Sequence, residues 1–84
     1  MAYYVDYYAL NDLQIEIMKY VDIYVRQQKT PVPRQKIIEE FKKRKIKDFT
    51  CINAISSLLH KGFIRTAIMP SSRQTHYVQL RRVQ

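Results

Sequence analysis

One residue of the 84 is glycine, and its position constrains the fold more than any other feature of the chain. Gly62 follows a stretch in which Cys51, Ile55 and Leu58 fall on one face of a helix. His60 and Lys61 put basic groups in the last turn, and a glycine just past them readily takes the left-handed conformation that stops a helix. Phe63 and Ile64 then begin a strand at once. Residues 63–69 are rich in β-formers, residues 75–83 form a second such run, and Pro70-Ser71-Ser72-Arg73-Gln74 marks the turn between them. A helix, a sharp stop and a β-hairpin over 63–82 with a polar, basic tip are therefore expected. In the second strand Val78 and Leu80 point one way and Tyr77, Gln79 and Arg81 the other, giving a half-buried hairpin with one solvated face.

Upstream, the same rules give two more helices. Asn11-Asp12-Leu13-Gln14 reads as a reciprocal cap, Asn11 accepting from the third amide and Gln14 reaching back to the Asn11 amide. Asp12 and Glu16 lie in the early turns, where the helix dipole favours negative charge. Leu10, Leu13, Ile17, Val21 and Tyr24, with Met18 and Val25 beside them, form a broad apolar stripe and predict a helix over 11–28. Thr30-Pro31-Val32-Pro33 ends it. Pro33 suits the first position of a second helix over 33–44, with Ile37, Ile38 and Phe41 inward. Glu39 and Glu40 precede Lys43 and Arg44 by four residues, a supporting arrangement. In the run Lys42-Lys43-Arg44-Lys45-Ile46-Lys47, Ile46 alone is expected to plug the core. The third helix is placed at 49–61, capped by Asp48 or Thr50. Ile52 and Leu59 widen its buried face, and Thr50, Asn53, Ala54, Ser56 and Ser57 leave the other face small and polar.

A single domain over 1–84, mostly α with a C-terminal hairpin, follows from this order of elements. Residues 1–9 stand before it with Tyr3, Tyr4, Tyr7 and Tyr8, spaced so that a helical turn pairs 3 with 7 and 4 with 8. They read equally as an extra turn closing the core or as a contact with a second copy or partner.

Charge is distributed unevenly. The net value is +8, yet residues 1–25 carry Asp6, Asp12, Glu16 and Asp22 against Lys19. Residues 26–84 carry fourteen lysines and arginines against Glu39, Glu40 and Asp48. Such segregation favours a polyanion met by one side of the molecule.

Other function classes find little support. No stretch approaches the ~20 apolar residues of a membrane span, and the start of the chain has no secretory signal pattern. With Cys51 alone there is no internal disulfide, and an intracellular protein is expected. Cys51 lies on an apolar face and reads as a structural thiol. His60 and His76 lack partners at metal-ligand spacing, and the adjacent Glu39 and Glu40 point in different directions on a helix. A lone glycine leaves no phosphate-cradling loop. Neither an enzyme nor a metal or cofactor site is expected, nor is a small-molecule ligand evident.

The order of three helices and a hairpin resembles a winged helix-turn-helix DNA-binding domain. Leu10-Asn11-Asp12-Leu13-Gln14 with Ile17-Met18, Tyr20-Val21 and Tyr24-Val25 is similar to the opening helix of the LexA repressor family. Thr30-Pro31 through Arg34-Gln35-Lys36-Ile37-Ile38 looks like that family's proline-led second helix. Leu58-Leu59-His60-Lys61-Gly62-Phe63-Ile64 resembles the ending shared by LexA-like and MarR-like domains. Here the turn between helices two and three is longer, more basic and free of glycine. The family's self-cleaving protease segment has no counterpart in these residues.

The resemblance implies that the third helix enters a DNA major groove, with Thr50, Asn53, Ser56 and Ser57 as base contacts. Asn53 leads them, because a carboxamide pairs with adenine through two hydrogen bonds. Arg34, Gln35, Lys43, Arg44, Lys45, Lys47 and Arg65 are candidate backbone contacts, which orient without specifying sequence. Ser72, Arg73 and Gln74 form the wing tip, and arginine is favoured in a narrow minor groove. A small transcriptional regulator binding double-stranded DNA as a homodimer is the leading expectation. The alternative is a viral or plasmid adaptor on the same fold, binding a host protein through its tyrosines.

Overall fold

The computed structural model describes residues 10–70 and 75–79. Tyr3, Tyr4, Tyr7, Tyr8, Ser72, Arg73 and Gln74 lie outside the described residues, as do Leu80 and Arg81.

Helix α1 spans Asp12–Gln28 and starts on the predicted reciprocal cap. The Gln14 amide donates to Asn11 Oδ1 at 2.9 Å and the Asn11 amide donates to Gln14 Oε1 at 3.0 Å. Because both groups are paired, Gln14 can be buried without a desolvation penalty left over. Ile17, Met18 and Val21 form the fully buried part of the stripe, flanked by the half-buried Leu13, Tyr24 and Val25. The stop is made by Lys29 in the left-handed conformation (φ 58°), its amide donating to the Val25 carbonyl, before the prolines are reached.

Between α1 and the next helix lies an element the sequence does not announce. Val32–Pro33 form a short strand, β1. Pro33 is thus not the first helical residue: it belongs to β1 and also stands as the cap of helix α2, which spans Arg34–Lys43. A proline is tolerated on such an edge strand because the missing donor faces away from the ladder. Ile37, Ile38 and Phe41 are the buried face of α2, as expected.

The turn out of α2 is tight. The Lys45 amide donates to the Lys42 carbonyl and the Ile46 amide to the Phe41 carbonyl, both at 2.9 Å. This is the paired bonding of a Schellman ending, with Lys45 (φ 66°) in the left-handed seat that glycine usually takes. Helix α3 covers Asp48–Lys61 and repeats the same ending with a true glycine, Gly62 amide to Leu59 carbonyl and Phe63 amide to Leu58 carbonyl. Its cap is Lys47, with no side-chain cap bond, so neither Asp48 nor Thr50 performs that role. Ile46, just before the cap, packs on the core and anchors the entry into α3. Cys51, Ala54, Ile55 and Leu58 are buried. Ala54 therefore belongs to the core face rather than the polar one, its small side chain filling the edge of the apolar stripe.

Two strands follow, β2 (Ile64–Ala67) and β3 (His76–Gln79). They pair antiparallel, and β3 also pairs antiparallel with β1, giving the order β1-β3-β2. The sheet is three-stranded where the sequence suggested a hairpin alone. The core face of β3 is that of Tyr77, fully buried and in register with Val32 and Thr66. Val78, opposite Arg65, is on the other face and half-buried. Val32, the partner of Tyr77 in β1, is fully buried too, so the two side chains lie side by side on the face that meets the helices. Three helices followed by this small antiparallel sheet are a winged-helix topology.

An aromatic cluster ties α1 to α2. Tyr20 meets Phe41 edge-on at 6.2 Å and Tyr24 at 6.1 Å. Arg44 lies over the Phe41 ring at 4.6 Å, and its guanidinium reaches Glu40 at 3.1 Å and Glu16 at 3.4 Å. Burial, followed by the nearby Glu40, pushes the Tyr20 hydroxyl above its usual pKa.

Candidate nucleic-acid interface

At 100° per residue, the buried side chains of α3 leave an outward ridge on the opposite face. Phe49, Asn53, Ser56 and His60 fall within about 60° of arc there, and all four are exposed. Thr50 and Ser57 flank the ridge on one side and are half-buried. Ile52 and Leu59, on the other side, pack against the core. Of the four expected base contacts, Asn53 and Ser56 therefore stand on the crest and Thr50 and Ser57 on its shoulder. Phe49, 63% exposed, was not singled out by sequence reasoning. Its signal was present: an aromatic side chain two residues from Cys51 is out of phase with the buried stripe.

The basic residues divide into two groups. Arg44 is engaged within the fold by Glu16, Glu40 and Phe41, so it is a tie between α1 and α2 rather than an unengaged cation. Lys43, Lys45 and Lys47, with Lys42, are exposed around the α2–α3 turn, and among the described residues none makes an ion pair. Lys45 and Lys47 lead directly into the first turn of α3, so positive charge gathers at the end of the ridge where Phe49 stands. Asp48 lies there too, as the first helical residue and favoured by the dipole.

At the start of α2, Gln35 is exposed and Arg34 is held in place. The Arg34 amide donates to the Thr75 carbonyl at 2.9 Å, extending the β1–β3 pairing by one bond. Its Nε donates to the Tyr77 hydroxyl at 3.1 Å. Arg34 is exposed, and among the described residues no bond of its terminal guanidinium nitrogens competes with the Nε bond, so they are available to a phosphate. On β2, Arg65 is exposed and its Nη1 donates to the Thr66 carbonyl at 3.3 Å. Ile68, 93% exposed, follows at the start of the loop.

Two of the acidic groups of α1 are occupied elsewhere. Asp22 pairs with Arg26 at 2.9 Å, and Glu16 with Lys19 at 3.3 Å as well as with Arg44. Cys51, beneath the ridge, is fully buried and its pKa is raised to about 11, first by burial and then by Asp48. Among the described residues no group of three His, Cys, Asp or Glu is placed to hold a metal ion, and no helix is long and apolar enough to cross a membrane.

Comparison with protein-family models, characterised proteins and solved structures gave no match to this chain.

Proposed function

We propose that this winged helix binds double-stranded DNA, with α3 in the major groove and the β2–β3 loop on the backbone or in a minor groove. The observation that carries the reading is the α3 ridge: exposed Asn53 and Ser56 on its crest, with the exposed cations of the α2–α3 turn at its N-terminal end. Such a helix presents donors and acceptors to base edges from its early turns. Lys43, Lys45, Lys47, Arg34 and Gln35 then hold phosphates, and Arg73 serves the wing. Arg65 joins them from β2. The protein acts as a small transcriptional regulator, and a homodimer formed through Tyr3, Tyr4, Tyr7, Tyr8 and α1 places two ridges about one DNA turn (~34 Å) apart.

Selection from a random duplex pool, followed by gel-shift titration, tests this. A preferred sequence is expected, bound about ten-fold or more tighter than random duplex, since one bidentate pair to a base is worth about 1–3 kcal/mol. Asn53→Ala should lose the preference and keep the binding to random duplex. Absence of any duplex binding overturns the reading and favours the protein adaptor, in which the tyrosines and the exposed Ile23 of α1 would meet a partner.

A further inference from the structure

Phe49 has no structural task that its position explains. It is the second residue of α3, 63% exposed, and on the face opposite Cys51, Ala54, Ile55 and Leu58. The apolar anchor for the helix start is already supplied by Ile46, which packs on the core. Its ring stands beside the exposed Lys45 and Lys47, where an apolar group of a bound partner would remove it from water. Asn53 lies one turn further on, on the same ridge, with Ser56 beyond it. The cations of the α2–α3 turn make that partner anionic overall. An apolar group presented by a polyanion in a groove that admits a helix is the 5-methyl of thymine.

Resting on the DNA-binding reading above, we infer that Phe49 reads a thymine methyl group, making it a specificity-determining residue beside Asn53. The half-site then contains a thymine contacted by the first turn of α3 and, from Asn53, an adenine about one turn of the helix along the groove. Two neighbouring A·T pairs, read from both the apolar and the hydrogen-bonding side, are the simplest site that satisfies both residues. Serine or alanine at position 49 would leave the phosphate contacts intact and remove this discrimination.

The experiment replaces thymine by deoxyuridine, one position at a time, in the duplex selected from the random pool, and measures the affinity of the full chain by fluorescence anisotropy. Deoxyuridine lacks only the methyl group, and the change is made in the DNA, so it cannot unfold the protein. At one position per half-site the wild-type affinity should fall about four-fold, the factor that burying one methyl group is worth. Phe49→Ala should bind the thymine duplex more weakly and be indifferent to the replacement. Equal wild-type affinity for thymine and deoxyuridine at every position, with sequence preference retained, overturns the role of Phe49 and leaves the proposed function standing. So does a methyl effect that persists unchanged in Phe49→Ala. Binding without any sequence preference overturns readout by Phe49 and Asn53 together. Failure to bind duplex at all overturns the proposed function and this inference with it.

Discussion

Cys51 shows how far one side chain can be read before the fold is known. Its place on an apolar helical face marks it as a core thiol, and it is indeed fully buried, which also keeps it from bridging to a second molecule while the chain is folded. Its pKa is raised from 9.0 to about 11, so the folded form holds the proton that the unfolded form gives up. The stabilising effect is therefore fully present below pH 9 and is lost as pH rises towards 11. A thiol reagent at pH 8 should label Cys51 within minutes in denaturant and not detectably in native buffer, and urea midpoints should fall between pH 9 and 11 less steeply in Cys51→Ala than in wild type. Native-state labelling at the unfolded rate would contradict the burial. The Asn11–Gln14 cap is the other residue-scale feature that was legible, because its two partners are three apart and need no tertiary information. Asn11→Ala should cost about 1 kcal/mol in chemical denaturation. The helical period that buries Cys51 also exposes Phe49, so its position was legible in the sequence. The alternation in β3 separates Tyr77 from Val78, but the sequence alone leaves open which face is inward; pairing with β1 accompanies burial of the Tyr77 face.

At the scale of elements, helix endings separate what a sequence declares from what it conceals. α2 and α3 close with the same pair of backbone bonds, and each is followed by an apolar residue, Ile46 or Phe63. One ending has Gly62 in the left-handed seat and was read at once; the other has Lys45 there, and no local signal distinguishes it from a solvated lysine run. A side chain in that conformation costs about 1–2 kcal/mol, partly offset by the rigidity it gives the unfolded chain. Lys45→Gly should therefore raise stability by about 0.5–1 kcal/mol in a urea titration, while weakening duplex binding through the lost charge. Stabilisation with unaltered affinity would remove Lys45 from the interface. Strand β1 was illegible because two residues carry no period, and its pairing depends on β3, more than forty residues away. That pairing has a consequence for the interface, since the Tyr77 hydroxyl orients Arg34 at the start of α2. Tyr77→Phe should weaken binding to specific and random duplex alike by a few-fold, as expected for a phosphate contact. A change in sequence preference instead would place Arg34 on a base.

For the molecule as a whole, the arrangement of charge decides the account. α1 pairs Glu16 and Asp22 with Lys19, Arg26 and Arg44, and Lys42, Lys43, Lys45 and Lys47 around the α2–α3 turn make no ion pair among the described residues. Four exposed lysines thus stand at the N-terminal end of the ridge that α3 presents. A polyanion binding there must release counterions. The most direct measurement is a titration of the full chain against a short duplex at several salt concentrations, in wild type and in Lys43, Lys45 and Lys47 exchanged singly for glutamine. The logarithm of the association constant should fall linearly with the logarithm of salt, by a slope of several units, and each exchange at a phosphate contact should reduce that slope by about 0.9. A slope near zero, or one that none of the three lysines changes, would contradict DNA binding through this face.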